Sequence, residues 1–334
     1  MHFSPLLFIS AATIVAAHPG HDPNQELHER REFLSKVERS DLSHCAAKMK
    51  QRGLEQLGVQ RRKATAAKMA KRGILPRAAS DINKSHLSDA DYDSNTSLDA
   101  IFAANSSCVL SPEETVGPYY VAGEAVRVDV TEDEPGIPLT LDLGIFDVDT
   151  CEPIANTYVE IWQCNSTGVY SGVPTGANFI AAPENLDTTF LRGLQQSDEA
   201  GAVQFDSIFP GHYNGRTNHI HIVVHANATV RENGTVDDSY ADHIGQIYFD
   251  QDLIDQVETY APYTNNNESI TVNTEDSLLA DGLATSDPIV EYVLLGESVD
   301  EGILAWISFG VNTTFTSTAT AAATYYEGGG VSNS

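Results

Sequence analysis

Two hydrophobic rhythms divide this chain. Between about residues 24 and 75, apolar positions recur at heptad-like spacing among charges, which predicts helix. Inside that stretch Ala46-Ala47-Lys48-Met49-Lys50-Gln51-Arg52-Gly53 returns as Ala66-Ala67-Lys68-Met69-Ala70-Lys71-Arg72-Gly73. The echo predicts two similar helical turns, each ending at a glycine C-cap. From about residue 110 the pattern shortens to alternating or apolar runs rich in Val, Ile, Thr and Tyr, at 139–148, 158–163, 203–205, 220–224 and 246–249. Gly, Pro, Asn and Asp separate these runs, so the body reads as all-β, an antiparallel sandwich or barrel.

The two ends follow neither rhythm. Residues 6–15 are apolar but too few to span a bilayer, and Val15-Ala16-Ala17 offers the small residues of a cleavage site. They predict a secretory leader over residues 1–17. After Asn312 the chain turns to Thr, Ser, Ala and Gly, which predicts a disordered tail over 313–334 because it buries too little apolar surface. The expected order is therefore a leader (1–17), a basic helical arm or removable pro-segment (18–85), a β-domain (86–312) and a loose tail.

Charge sharpens that division. The whole chain carries a formal net charge of -28. Residues 1–84 hold 15 Lys or Arg against 8 acids, whereas residues 85–334 hold 4 against 39. Such a body excludes nucleic acid and anionic membrane surfaces as partners, since both are neutralised by cations. The dibasic pairs Arg61-Arg62 and Lys71-Arg72 are possible processing points. Eight N-x-Ser/Thr sequons, including Asn165, Asn227, Asn233 and Asn312, fit a secreted glycoprotein. Four cysteines suit an oxidising compartment. Of three possible connectivities, Cys151–Cys164 with Cys45–Cys108 is expected, the second bond clamping the arm to the body.

Candidate chemistry concentrates between Tyr170 and Gln246. Of eleven histidines, five fall between His212 and His243. His219 and His221 flank Ile220 on an expected strand, so both imidazoles can face one metal while Ile220 and Ile222 face the core. Tyr213 precedes them in a Gly-rich turn. Arg216 is one of only four cations in the acidic body, beside Arg127, Arg192 and Arg231. A buried cation is costly without a partner, so its place here asks for a reason. His212 and His225 read as turn or core histidines, Trp162 and Trp306 as core.

The run Pro210-Gly211-His212-Tyr213-Asn214-Gly215-Arg216-Thr217-Asn218-His219-Ile220-His221 resembles the signature of intradiol ring-cleavage dioxygenases. Three further blocks agree in order: Glu114–Tyr120, Val159–Ser171 and Gly245–Asp250. This resemblance covers about residues 110–250 and implies an intradiol dioxygenase-like β-sandwich of the secreted fungal branch. It implies Tyr170, Tyr213, His219 and His221 as ligands of one Fe(III). Two tyrosinates and a hydroxide would bring that ion to zero net charge, lowering the cost of enclosing it. It further implies Thr115, Gly117, Pro118, Tyr119 and Tyr120 as substrate contacts, Arg216 and Gln246 as catalytic neighbours, and Tyr213 as the ligand displaced by substrate. The implied reaction takes an aromatic 1,2-diol and O2 to a muconate-type diacid.

The chain departs from the family's best-known bacterial members in three places. Only five residues separate Tyr213 from His219, the loop from His221 to Gln246 is longer, and no block resembles their helical dimerisation domain. Two other readings stand beside the dioxygenase. One is a non-catalytic sandwich that binds phenols or a cell wall; the other is a zinc or copper enzyme built on His219 and His221.

Overall fold

A computed structural model describes residues 42–70, 107–109, 119–175, 181–225, 228–237, 243–283, 286–314 and 321–333. The expected leader and the Thr115, Gly117 and Pro118 contacts lie outside the described residues.

The arm is helical where it is described. Helices α1 (Ala46–Gln51) and α2 (Leu54–Ala70) are separated by Arg52 and Gly53, whose φ of +71° ends α1 as its sequence echo expects. Helix α2 packs Ala66, Val59 and Met69 on Val293, Leu295, Leu304 and Trp306. Its Arg61 forks onto buried Asp142 with two 2.7 Å bonds, and Arg62 lies over the Trp306 ring. The Arg61-Arg62 pair is thus folded into the contact between arm and body.

The body stacks two sheets. Its strands are β1 (Ser107–Val109), β2 (Val121–Ala122), β3 (Pro138–Asp147), β4 (Tyr158–Trp162), β5 (Arg192–Gln196), β6 (Ala202–Ile208) and β7 (His219–His225). There follow β8 (Thr229–Val230), β9 (Val236–Asp237), β10 (His243–Tyr248), helices α3 (Gln251–Val257) and α4 (Ser277–Leu283), β11 (Glu291–Leu294) and β12 (Ile303–Val311). Strands β13 (Ala323–Tyr326) and β14 (Gly329–Ser332) complete the order. One sheet runs β1-β12-β3-β6 with β11 on β12; the other runs β10-β7-β4-β5. Alternate residues of β3, β12 and β6, such as Leu141, Leu143, Ile307 and Phe205, meet Val159, Ile161, Ile220, Ile222 and Ile247 between the sheets. Each such side chain contributes roughly 1.5–3 kcal/mol by leaving water, so this layer carries the fold.

Three expectations need correction. The sandwich is not wholly antiparallel: β12 runs parallel to both β3 and β1. Both expected disulfides are wrong, for Cys45 bonds to Cys151 and Cys164 is a buried free thiol. Cys151 is buried in one apolar cluster with Cys45, Met49 and Phe146, whereas Cys164 is buried in another with Trp162 and Tyr170. Cys45 still clamps arm to body, through a different partner. Finally, the tail is not disordered over 321–333. Strands β13 and β14 form a hairpin, and β13 lies parallel to β2. Composition counted only the core a tail could build alone, whereas this one adds its backbone to an existing strand edge.

Candidate metal centre

Strand alternation builds half of the site. Ile220, Ile222 and Val224 of β7 enter the core, so His219, His221, Val223 and His225 stand on the opposite face. Across the ladder His221 is level with Trp162 and Gln246, and His219 with Tyr248. The Nε2 atoms of His219 and His221 lie 3.2 Å apart. At that separation both imidazoles could bind one ion. His219 Nδ1 lies 2.6 Å from the Thr217 carbonyl. A carbonyl can only accept, so Nδ1 donates and Nε2 keeps its lone pair. The Trp162 indole stacks on the His221 ring, with centroids 4.7 Å apart.

Two interlocked turns supply the phenols. In the turn before Tyr170, Asn165 Oδ1 accepts bonds from the Thr167 amide, the Thr167 hydroxyl and the Val169 amide, each at 3.0 Å. The Asn165 amide group donates to Glu134, so this sequon's side chain already serves the fold. A Cβ at Gly168 would strike the His212 carbonyl, and one at Gly211 the Asn165 carbonyl. Glycine at both positions lets the turns mesh. The mesh sets the Tyr170 and Tyr213 rings edge to face at 5.7 Å, with Tyr213 Oη 3.2 Å from His219 Nε2. The four side chains singled out from the sequence therefore meet, none more than 4% exposed.

The electrostatics of this cluster favour a cation. Tyr170 Oη is buried and makes no hydrogen bond among the described residues. Burial, then the neighbouring Tyr213, raise the Tyr170 hydroxyl well above the ordinary phenol range. Burial raises Tyr213 as well, opposed by the positive charge of Arg216. A buried hydroxyl left unsatisfied costs about 1–3 kcal/mol. An ion would remove that deficit by taking Tyr170 as an anionic donor. Two phenolates with two imidazoles suit a hard, highly charged metal better than the Cys, His and carboxylate sets of zinc.

Arg216 has the partner that its burial demands. Its Nε donates to Asp276 at 2.8 Å, and its Nη2 donates to Gln246 Oε1 and to Tyr248 Oη. Tyr248 also donates to Gln246 Oε1, at 2.7 Å. Burial alone would raise the Asp276 carboxyl, but Arg216 and the amides of Leu279 and Thr217 hold it below its usual range. Tyr119 stacks on Tyr170 with ring centroids 4.2 Å apart, and Tyr120 tilts over Trp162. His212 and His225 take structural roles, bonded to Glu258 and Glu160.

Sequence reasoning gave no site role to four residues that shape the site: Asp276, Tyr248, Trp162 and Arg192. Arg192 is wholly buried and donates to the Ser171 carbonyl and hydroxyl, clamping the turn that carries Tyr170. The scarcity of cations that flagged Arg216 would have flagged it too. Asp276 lies 60 residues from Arg216 with no local pattern to betray it.

Residues 115–257 match the model of a dioxygenase family. A catechol 1,2-dioxygenase of Acinetobacter baylyi is 36% identical over 122 residues, which are 35% of this chain and 36% of that protein. An intradiol ring-cleavage dioxygenase structure from Tetranychus urticae is 32% identical, with a TM-score of 0.50. The match spans 61% of this chain and 95% of that one. A chain that matches nearly the whole of a solved member at this identity belongs to the intradiol ring-cleavage dioxygenase family.

Proposed function

We propose that the protein is a secreted non-haem iron dioxygenase that cleaves an aromatic 1,2-diol between its two hydroxyl-bearing carbons. The ring bond and the O–O bond both break, and the two oxygen atoms end in the two carboxyl groups of a muconate-type diacid. The observation that carries this reading is the meeting of two buried phenols with two imidazoles, one phenol oxygen lacking any hydrogen bond among the described residues. Tyr170, Tyr213, His219 and His221 would hold Fe(III), which when bound supplies the Lewis acidity and electron sink that make the ring reactive toward O2.

The protein's own groups do the rest. Tyr213, its hydroxyl 3.2 Å from His219 Nε2, would accept a proton from the entering diol. Arg216 Nη1 is buried without a hydrogen bond among the described residues, so the guanidinium has a donor left to offer the activated ring. Gln246 and Asp276 hold it in place. Tyr119, Tyr120 and Trp162 wall the site against water. The Cys45–Cys151 bond supports an oxidising, extracellular setting. The acidic body favours a neutral diol over an anionic one.

The test is spectroscopic and kinetic. Purified protein given iron should show a visible tyrosinate-to-iron absorption and take up O2 with catechol, hydroxyquinol or another diol of a panel. Colourless protein holding zinc would replace this reading with a zinc enzyme. Colourless, metal-free protein after iron addition, with no O2 uptake, would replace it with a binding module.

A further inference from the structure

The C-terminal hairpin reaches the site without entering the mechanism above. Strand β13 runs beside β2, with Ala323 level with Val121, and the Ala322 amide donates to the Tyr120 carbonyl at 2.9 Å. Ala323 is wholly buried in the cluster formed by Tyr119, Tyr120, Trp162, Tyr170 and Tyr213. The opposite strand holds a second wall. The Gly330 amide donates to Asp187 Oδ1 at 3.1 Å, at the end of the 3-10 turn Pro183–Asp187. That turn packs Leu186 on the same cluster, and its Asn185 carbonyl accepts the Gly172 amide at 2.8 Å, two residues past Tyr170.

Both contacts are fitted too closely to be incidental. A Cβ at Gly123 would strike the Tyr325 carbonyl, and a Cβ at Gly330 would strike the Leu186 carbonyl. The hairpin thus braces the segment that stacks Tyr119 on Tyr170 and the segment that follows Tyr170. By contrast, it contributes no residue to the core between the two sheets. Its loss should spare the fold and disturb the pocket.

We infer that the hairpin β13–β14 is a wall of the substrate pocket, positioning Tyr119 and limiting the size of diol admitted. This rests on the diol-cleaving reading. The small side chains of Ala321, Ala322 and Ala323 set that limit from one side, and the backbone bond to Tyr120 keeps them there.

The experiment compares the full chain with a chain ending at Thr314 and with Gly330→Val, each loaded with iron. Loss of a contact that holds substrate equally before and during reaction raises KM while leaving kcat nearly unchanged. The expected result is a KM for catechol raised about tenfold, kcat changed less than about threefold, and a preference shifted toward 4-tert-butylcatechol. Hydrogen exchange at the amides of Tyr120–Ala122 and Gly168–Gly172 should quicken in both variants. Unchanged KM, diol preference and exchange in a folded variant would overturn the inference. Should the shortened chain fail to fold, Gly330→Val alone decides it by the same readouts. A full chain that turns over no diol defeats the functional reading instead, and exchange, which needs no metal, then decides the positioning role.

Discussion

Arg216 is aimed by three side chains from two separate segments: Asp276 at its Nε, and Gln246 and Tyr248 of β10 at its Nη2. Such a cation is preorganised, so it costs no rearrangement when negative charge develops on a substrate. Arg216→Leu should cut kcat by about 10²–10³ while iron content and the visible absorption persist. The same change strands the buried Asp276 carboxylate, which costs on the order of 3–5 kcal/mol. Thermal melting should therefore fall in the single variant and recover when Asp276→Asn is added, with turnover still lost. Turnover restored by the second change would show that Arg216 acts only as a counter-ion. Arg192 illustrates the complementary case, a buried cation that touches Ser171 rather than the reacting centre. Its work is to hold the turn bearing Tyr170, and Glu124 lies 3.8 Å from it as counter-charge.

Among the elements, the helical arm depends most on a single bond. Cys45 and Cys151 are 106 residues apart, and closing so long a loop removes much of the freedom of the unfolded chain. Cys151→Ser should lower unfolding free energy by about 2–5 kcal/mol, read by denaturant titration against the parent chain. A loss under ~1 kcal/mol would mean that the contacts of Met49, Ala66 and Arg61 hold the arm without help. The bond has a second consequence. A chain cut after Arg62 would still carry its upstream piece, because that piece contains Cys45. At the same scale, the two glycine-meshed turns explain how residues 43 positions apart present their phenols to one point: neither turn is a regular element, and each is shaped by the other.

The whole molecule carries a pH dependence written by His243. This imidazole is buried, its Nε2 accepts the Asn312 amide at 3.1 Å, and burial pushes its pKa down to about 4 from 6.5. The unfolded chain therefore binds this proton more readily than the folded one does. The contribution is fully present above the unfolded value of about 6.5 and is lost as pH falls toward 4. A shift of that size is worth about 3 kcal/mol at its limit. Denaturant midpoints should fall between pH 6.5 and 4, and His243→Gln should flatten that decline. An equal slope in both chains would remove His243 from the account.

The sequence by itself determined the fold class, the helical character of the arm and the four candidate ligands. The fold class, the arm and the histidine pair rest on short-range regularities, since period-two alternation puts His219 and His221 on one face and Ile220 on the other; Tyr170 and Tyr213 were legible only through the resemblance of their motifs to those of the family. Tertiary structure alone decided the pairings across distance. Cys45 met Cys151 across 106 residues; Asp276 met Arg216 across 60; the polar tail ordered itself on the edge of β2. No local pattern encodes such meetings, since hydrogen bonds and disulfides depend on where backbones arrive, and that is fixed by how the two hydrophobic sheets close on each other.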